Sequence, residues 1–265
     1  ALYVIIAAGT VALAALVEAA PAGRGYRGTG MSRRQVLNGL CLFTVFMVLF
    51  ALSACRMNVG NDYAKYVEFM HLIACGAYEY VPTETGFNLL VAVLYRLAGG
   101  ENFLLVFAVF AFFTLWLFLK AMYEQSDSFG WRFLLFMAFG FYFSTFNTVR
   151  YYLVLALALY SIKYVLKGEW GKFILLVLLG SLFHKSMLVV IPLYFLASLA
   201  WKKWQLGLMA LFCTTFFFLQ DFYLKVVVFL YPSYEDTEYL EGWISWFIIL
   251  RCLGVLVFSL IYYKR

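Results

Sequence analysis

The 265-residue sequence is short of charge, and that shortage decides its class. Asp, Glu, Lys and Arg together make up 13% of the residues, against 65% hydrophobic. Soluble domains hold about a quarter charged and about half apolar. A soluble fold of this length cannot bury so much apolar surface, so lipid is the expected solvent. Proline is scarce too, at four, and no Ser/Gly-rich linker interrupts the apolar runs. The expectation is an all-α integral membrane protein forming a single polytopic domain over 1–265. The chain ends at Lys264 and Arg265 directly after an apolar run, which fits a longer parent protein, incomplete here at its C-terminus.

Other absences remove whole chemistries. There is no GxxxxGK phosphate loop, no DxD-like pair for a nucleotide-sugar metal, and no HExxH. Cys41, Cys55, Cys75, Cys213 and Cys252 form no CxxC pair and no Cys/His spacing that suits zinc. Cys55 and Cys75 could share a side of the membrane and pair. No metal and no cofactor is called for. The net charge of +6 does not indicate nucleic acid, because the basic residues are spread between apolar runs instead of forming one stripe. In a membrane protein they mainly encode orientation.

What is abundant is apolar and aromatic. The aromatic fraction is 21%, with 20 Tyr and 7 Trp, which suits interfacial belts. A helical span takes about 20 residues. Suitable runs are 2–18, 37–54, 102–121, 131–147, 150–167, 204–220 and 243–262. The stretch 170–201 is too long for one span and divides in two at His184, Lys185 and Ser186, giving nine spans. Arg24, Arg27, Arg33 and Arg34 between the first two spans belong inside by the positive-inside rule. The N-terminus is then outside, and 55–101 follows outside. Within it, 62–75 has the length of a surface amphipathic helix. The run 86–98 is apolar but about 13 residues long, short for a span. Taken as re-entrant or interfacial, it leaves Lys163, Lys167, Lys172, Lys202, Lys203, Lys264 and Arg265 inside and the acidic loop 233–241 outside. The chain's C-terminus is then cytoplasmic.

Charges retained in or beside spans are costly, roughly 2.5–3.5 kcal/mol each, and usually face a cavity. With this topology Arg56, Asp62, Glu84, Asn147, Arg150 and His184 all fall at or just below the outer face. Arg56 is an anion contact beside Asp62, or a snorkelling helix-end residue. Arg150 offers a planar fork of donors that matches phosphate oxygens, with Asn147 three residues before it; its bland alternative is a lipid-headgroup pair. His184 can accept a proton near neutral pH, with Lys185 and Ser186 beside it; alternatively it is a hydrogen-bonded helix-end residue. Glu84 is a base, a holder of Arg or of sugar hydroxyls, or a plain loop acid. Arg251 is the most deeply placed basic residue, either functional or paired with another span. His71 is most simply a surface residue.

Four segments in order carry a resemblance. They are Arg56 with Gly60-Asn61-Asp62-Tyr63 and Tyr66, then Glu84-Thr85-Gly86-Phe87, then Phe146-Asn147-Thr148-Val149-Arg150, then Phe183-His184-Lys185-Ser186. Together they resemble the EpsG-type polysaccharide polymerase family, a branch of the Wzy-like membrane glycan polymerases, over roughly residues 50–195. Tyr151 departs from the family's usual Gln. The resemblance implies a membrane glycosyltransferase of exopolysaccharide or capsule biosynthesis at the outer face of the bacterial cytoplasmic (inner) membrane. Its substrate would be undecaprenyl-diphosphate-linked oligosaccharide, and a flippase and a chain-length regulator are the implied partners. In that scheme Arg56, Arg150 and Arg251 bind the diphosphate. His184, Glu84 or Asp62 acts on the attacking hydroxyl, and Asn147, Tyr63, Tyr66 and Ser186 orient the acceptor. Diphosphate is already a good leaving group, so arginines can replace a metal. Rival readings are a glycan ligase, a membrane acyltransferase modifying polysaccharide, and a polysaccharide transporter.

Overall fold

The computed structural model describes residues 2–17, 32–125, 128–199, 202–230 and 246–262. Every regular element among these is helical. Helix starts follow local capping chemistry. Ser32 and Gln35 form a capping box at the start of α2 (Arg33–Ala54). Asn102 Oδ1 accepts the Leu105 N–H at 3.0 Å and opens α5 (Phe103–Glu124). The remaining helices of the first unit are α1 (Leu2–Ala15), α3 (Tyr63–Ala74), α4 (Thr85–Ala98), α6 (Phe129–Ala138), α7 (Phe141–Ser144), α8 (Val149–Leu166), α9 (Trp170–Ser181) and α10 (Val190–Ser198). Short 3-10 turns cover Tyr78–Tyr80 and Lys185–Val189.

Three described helices, α2, α5 and α8, are long and apolar enough to cross a membrane by themselves. Five other apolar stretches are shorter, so the described residues bear out a multi-helix membrane protein and do not confirm the count of nine spans. The run 131–147 is the clearest correction. It breaks into α6 and α7 at Gly140, whose φ of 72° puts it in the left-handed region. The break turns Tyr142 into the core, where its hydroxyl donates to the Leu49 carbonyl at 2.8 Å and Ser53 Oγ lies 3.3 Å away.

The chain forms two compact units, 1–198 and 199–265. In the first, α5 lies between α2 and α8. The elements meet end to end in a definite way. Arg56, just past α2, lies 4.6 Å from the Phe107 ring near the start of α5 and 5.4 Å from the Phe146 ring just before α8. At the opposite end, Lys163 of α8 pairs with Glu124 of α5 at 2.8 Å, and Arg34 donates to the Leu16 carbonyl after α1. Both flanks of α4 return to the first of these ends. Glu84 precedes it and pairs with Arg150 at the start of α8. Glu101 follows it and meets His71 of α3 at 3.0 Å. At 14 residues α4 is roughly 21 Å long, less than the roughly 30 Å of a hydrocarbon core.

Cys55 and Cys75, the conjectured pair, are both free and exposed. The second unit holds α11 (Lys203–Phe218), α12 (Gln220–Leu230) and α13 (Trp246–Tyr262). The Thr215 and Tyr223 hydroxyls, 2.7 Å apart, join α11 to α12, a helix the hydrophobic pattern did not announce. The acidic loop 233–241 lies outside the described residues.

The start of α4 lies hard against the segment after α9. Gly86 N–H donates to the Leu182 carbonyl at 2.8 Å, and a Cβ on Gly86 would stand 2.6 Å from that oxygen. Gly86→Ala should therefore destabilise the fold by roughly 1–3 kcal/mol, the usual cost of overpacking. Gly100→Ala, with open space around it, should not. Thermal unfolding of both variants in detergent checks this; equal melting temperatures would remove the close approach.

Candidate active site

The close approach at Gly86 delivers Glu84 to its partners. Glu84 Oε2 accepts from Arg150 Nη1, and its other oxygen accepts the Lys185 backbone N–H at 3.1 Å. One carboxylate thus ties together the start of α4, the start of α8 and the turn after α9. The pair is largely buried, with side-chain exposures of 15% for Arg150 and 13% for Glu84. The Arg150 guanidinium also lies 5.5 Å from the Phe87 ring and 5.8 Å from the Tyr66 ring.

His184 stands next to this knot. Its Nδ1 accepts the Ser186 backbone N–H at 3.3 Å and lies 3.0 Å from Ser186 Oγ. A neutral ring that accepts at Nδ1 carries its proton on Nε2. Such a ring presents a donor to its surroundings, not the free acceptor expected of a base. Tyr151, at the position where the family resemblance lapses, packs edge-on to the imidazole at 5.7 Å. The His184 pKa is held below its ordinary value. Burial is the main cause; nearby Glu84 opposes it and Arg150 reinforces it.

Arg56 is in a different situation. It is buried, and its Nη1 donates to the Thr145 carbonyl at 3.4 Å. Among the described residues it has no carboxylate partner; the expected contact with Asp62 is not formed. Burial pulls its pKa down to about 10, while Tyr66, Tyr63 and Tyr142 push the other way. It remains a cation at neutral pH. A cavity of about 10 Å³ adjoins it, lined by Ser53, Thr114 and Thr145 among others, close to the minimum that holds one water molecule. The Nε–H groups of Arg56 and Arg150 have no acceptor among the described residues.

The remaining candidates line the same end. Tyr63 stacks on Phe107 at 5.2 Å, and Tyr66 touches both Phe87 and Phe107. Asn147 Oδ1 accepts the Asn61 N–H at 3.2 Å. Gly60, at φ 105°, allows this, since a Cβ there would stand 2.3 Å from the Phe146 carbonyl. Asp62 begins α3, partly exposed and without a side-chain capping bond. Arg251 lies on α13 in the second unit, and its side chain is outside the described residues. Sequence reasoning missed Gly86, Tyr142 and Phe107. Gly86 was quoted only as a motif letter, and nothing in a sequence says that a phenylalanine 51 positions away will underlie Arg56.

This set of residues spans the four motif segments. The EpsG family model matches residues 39–265. The chain belongs to the EpsG family. That membership makes it a polysaccharide-polymerase type of membrane protein with glycosyltransferase-like character. Neither a search of curated proteins nor one of solved structures finds a match. The family region includes every residue of the Glu84–Arg150–His184 knot, and also Arg56.

Breaking a buried pair strands the surviving charge. Glu84→Gln and Arg150→Gln should each destabilise the protein by on the order of 3 kcal/mol, and the double variant should lose less than their sum. Denaturant or thermal unfolding in detergent measures the coupling; strict additivity would show that the pair is not coupled. His184, with a lowered pKa, binds its proton more readily when unfolded. Its contribution to stability is therefore present above about pH 6.5 and lost as pH falls through the folded value. The loss of melting temperature between pH 7.5 and pH 5 should shrink in His184→Gln.

Proposed function

We propose that this chain polymerises lipid-linked oligosaccharide repeat units at the outer face of a bacterial cytoplasmic membrane, building exopolysaccharide or capsule. The observation that carries the reading is Arg56, a buried cation without a carboxylate partner among the described residues, at the same end of the helices as the Glu84–Arg150–His184 knot, in a chain of the EpsG family. A desolvated cation without a counter-ion attracts an anion strongly. In this reaction the anion is the diphosphate of an undecaprenyl-diphosphate-linked glycan.

The chemistry is a glycosyl transfer. A hydroxyl at the non-reducing end of the incoming unit attacks the anomeric carbon of the growing chain. The new C–O bond forms as the anomeric C–O bond to the lipid diphosphate breaks, and the hydroxyl proton passes to a base. Negative charge develops on the leaving oxygen, so preorganised donors there lower the barrier most. Arg56 supplies charge, and Arg150 supplies a donor edge in a geometry fixed by Glu84. His184, protonated at Nε2, donates to the departing diphosphate. Glu84 is occupied by two donors, so Asp62 is the carboxylate free to take the hydroxyl proton. Tyr63 and Tyr66, buried against Phe107 and Phe87, back the wall of the site on which the acceptor is oriented, and Asn147 and Ser186 fix the turns beside it. The orientation that suits this chemistry puts the N-terminus outside, with Lys120, Glu124 and Lys163 at the cytoplasmic end and α4 returning to the outer face without crossing.

The decisive assay incubates purified protein with one lipid-linked repeat unit and no nucleotide sugar. A ladder of longer lipid-linked products is expected, and its absence from the wild type would remove the polymerase reading in favour of a transporter or acyltransferase. Asp62→Asn should slow the ladder about 10²–10⁴-fold, as loss of a general base does. His184→Ala should cost about 10²–10³-fold, the usual effect of losing an oxyanion donor. His184→Gln, which keeps an N–H in reach, should recover much of that rate. If Gln is as inactive as Ala while Asp62→Asn is active, His184 is the base and the roles are reversed.

A further inference from the structure

A second cluster of reactive side chains lies apart from the knot just described. His71 and Cys75 are one turn apart on the exposed face of α3 and its C-terminal cap. Cys75 Sγ is 3.7 Å from His71 Nε2. On the other side of the ring, His71 Nδ1 is 3.0 Å from both carboxylate oxygens of Glu101, which sits between α4 and α5. Ligand atoms of the three residues all lie within 4.8 Å of one another.

The geometry points to a site for a zinc-class divalent metal ion, held by His71 Nε2 and Cys75 Sγ and oriented by Glu101. Two ligands on one tetrahedral zinc, with Zn–N of about 2.0–2.1 Å and Zn–S of about 2.3 Å, stand about 3.6 Å apart. The observed 3.7 Å separation therefore suits a shared ion with almost no side-chain movement. Glu101 gives the second indication. A metal-bound histidine usually donates its other N–H to a carboxylate, which fixes the tautomer and raises the basicity of the ligating nitrogen. Glu101 occupies that position on Nδ1. An imidazole and a thiolate also favour a borderline-soft ion over magnesium or calcium. Binding is the exchange of the Cys75 thiol proton for the metal: the S–H bond is lost, an S–metal bond forms, and one proton is released. Water or a rotated Glu101 oxygen completes the coordination.

The site would join α3 to the start of α5. Both carry residues that face the proposed active site, Tyr63 and Tyr66 on α3 and Phe107 on α5. It does not depend on the polymerase reading, because neither its ligands nor its test involves glycan.

Cobalt(II), titrated into the detergent-purified protein under reducing conditions, is the probe. Thiolate ligation gives a sulfur-to-cobalt charge-transfer band in the near ultraviolet, and zinc should abolish it by displacement. Cys75→Ser should remove the band, and His71→Ala should remove it or weaken binding more than 100-fold. Glu101→Gln should weaken binding about 10–100-fold while leaving the band's shape. Zinc should raise the wild-type melting temperature and leave that of Cys75→Ser unchanged. All three side chains are exposed, so the variants should fold, which size-exclusion chromatography verifies. No band in the wild type, or a band that survives Cys75→Ser and disappears with Cys55→Ser, overturns the assignment.

Discussion

The Glu84–Arg150 ion pair is the interaction on which the rest of this end of the protein depends. It joins three segments that chain connectivity does not bring together: the loop before α4, the first turn of α8, and the turn between α9 and Lys185–Val189. Each oxygen of Glu84 has a separate duty, one to the guanidinium and one to a backbone N–H. That division explains why a short helix such as α4 holds its place. Its own apolar face is modest, with Phe87, Val91 and Tyr95 buried, but its first turn is pinned by a charge-assisted bond and by the Gly86 to Leu182 hydrogen bond.

The pin also sets the chemistry of its neighbour. Lys185 N–H is committed to Glu84, so the turn that follows is held, and Ser186 N–H is aimed at the His184 ring. The proton on the imidazole is thereby assigned to Nε2. A carboxylate just before α4 thus determines which nitrogen of a histidine 100 residues later can donate. This is why Glu84 is better understood as a positioning residue than as the base, although a carboxylate beside a membrane cavity could serve either role on sequence grounds alone.

Much of this was legible in the sequence, and the gaps have physical reasons. Composition pointed to lipid as the solvent, and the charge pattern predicted one membrane side for Arg56, Glu84, Arg150 and His184, which the fold gathers at one end of its helices. The length of 86–98 was enough to doubt it as a span. The break at Gly140 was not legible, since an isolated glycine in an apolar run is tolerated in helices and nothing local announces a left-handed conformation. Side-chain partners were the least legible. Arg56 reads in sequence as an anion contact beside Asp62 or as a snorkelling helix-end residue, yet it is buried between Phe107 and Phe146. No Cys/His spacing reads as suiting zinc, because Glu101, which gives the His71–Cys75 pair its meaning, arrives from a different element.

The two arginines, alike in sequence context, end in opposite electrostatic states, and the contrast bears on how such a site works. Arg150 is compensated: its charge is already neutralised by Glu84, so on the proposed reading a phosphate would gain direction from it more than attraction. Arg56 is uncompensated among the described residues: buried against rings and a carbonyl, it has no carboxylate beside it there. Burying such a charge is unfavourable, and the fold tolerates it through the ring faces of Phe107 and Phe146 and the nearby tyrosines. Part of that cost is recovered when an anion binds. A diphosphate would thus stabilise the protein as well as dock, and its departure after transfer would restore the unfavourable state. On the proposed reading, an enzyme that releases lipid diphosphate after every addition would find in Arg56 a cation whose Nε–H, without an acceptor among the described residues, can turn to the anion while Nη1 stays with the Thr145 carbonyl.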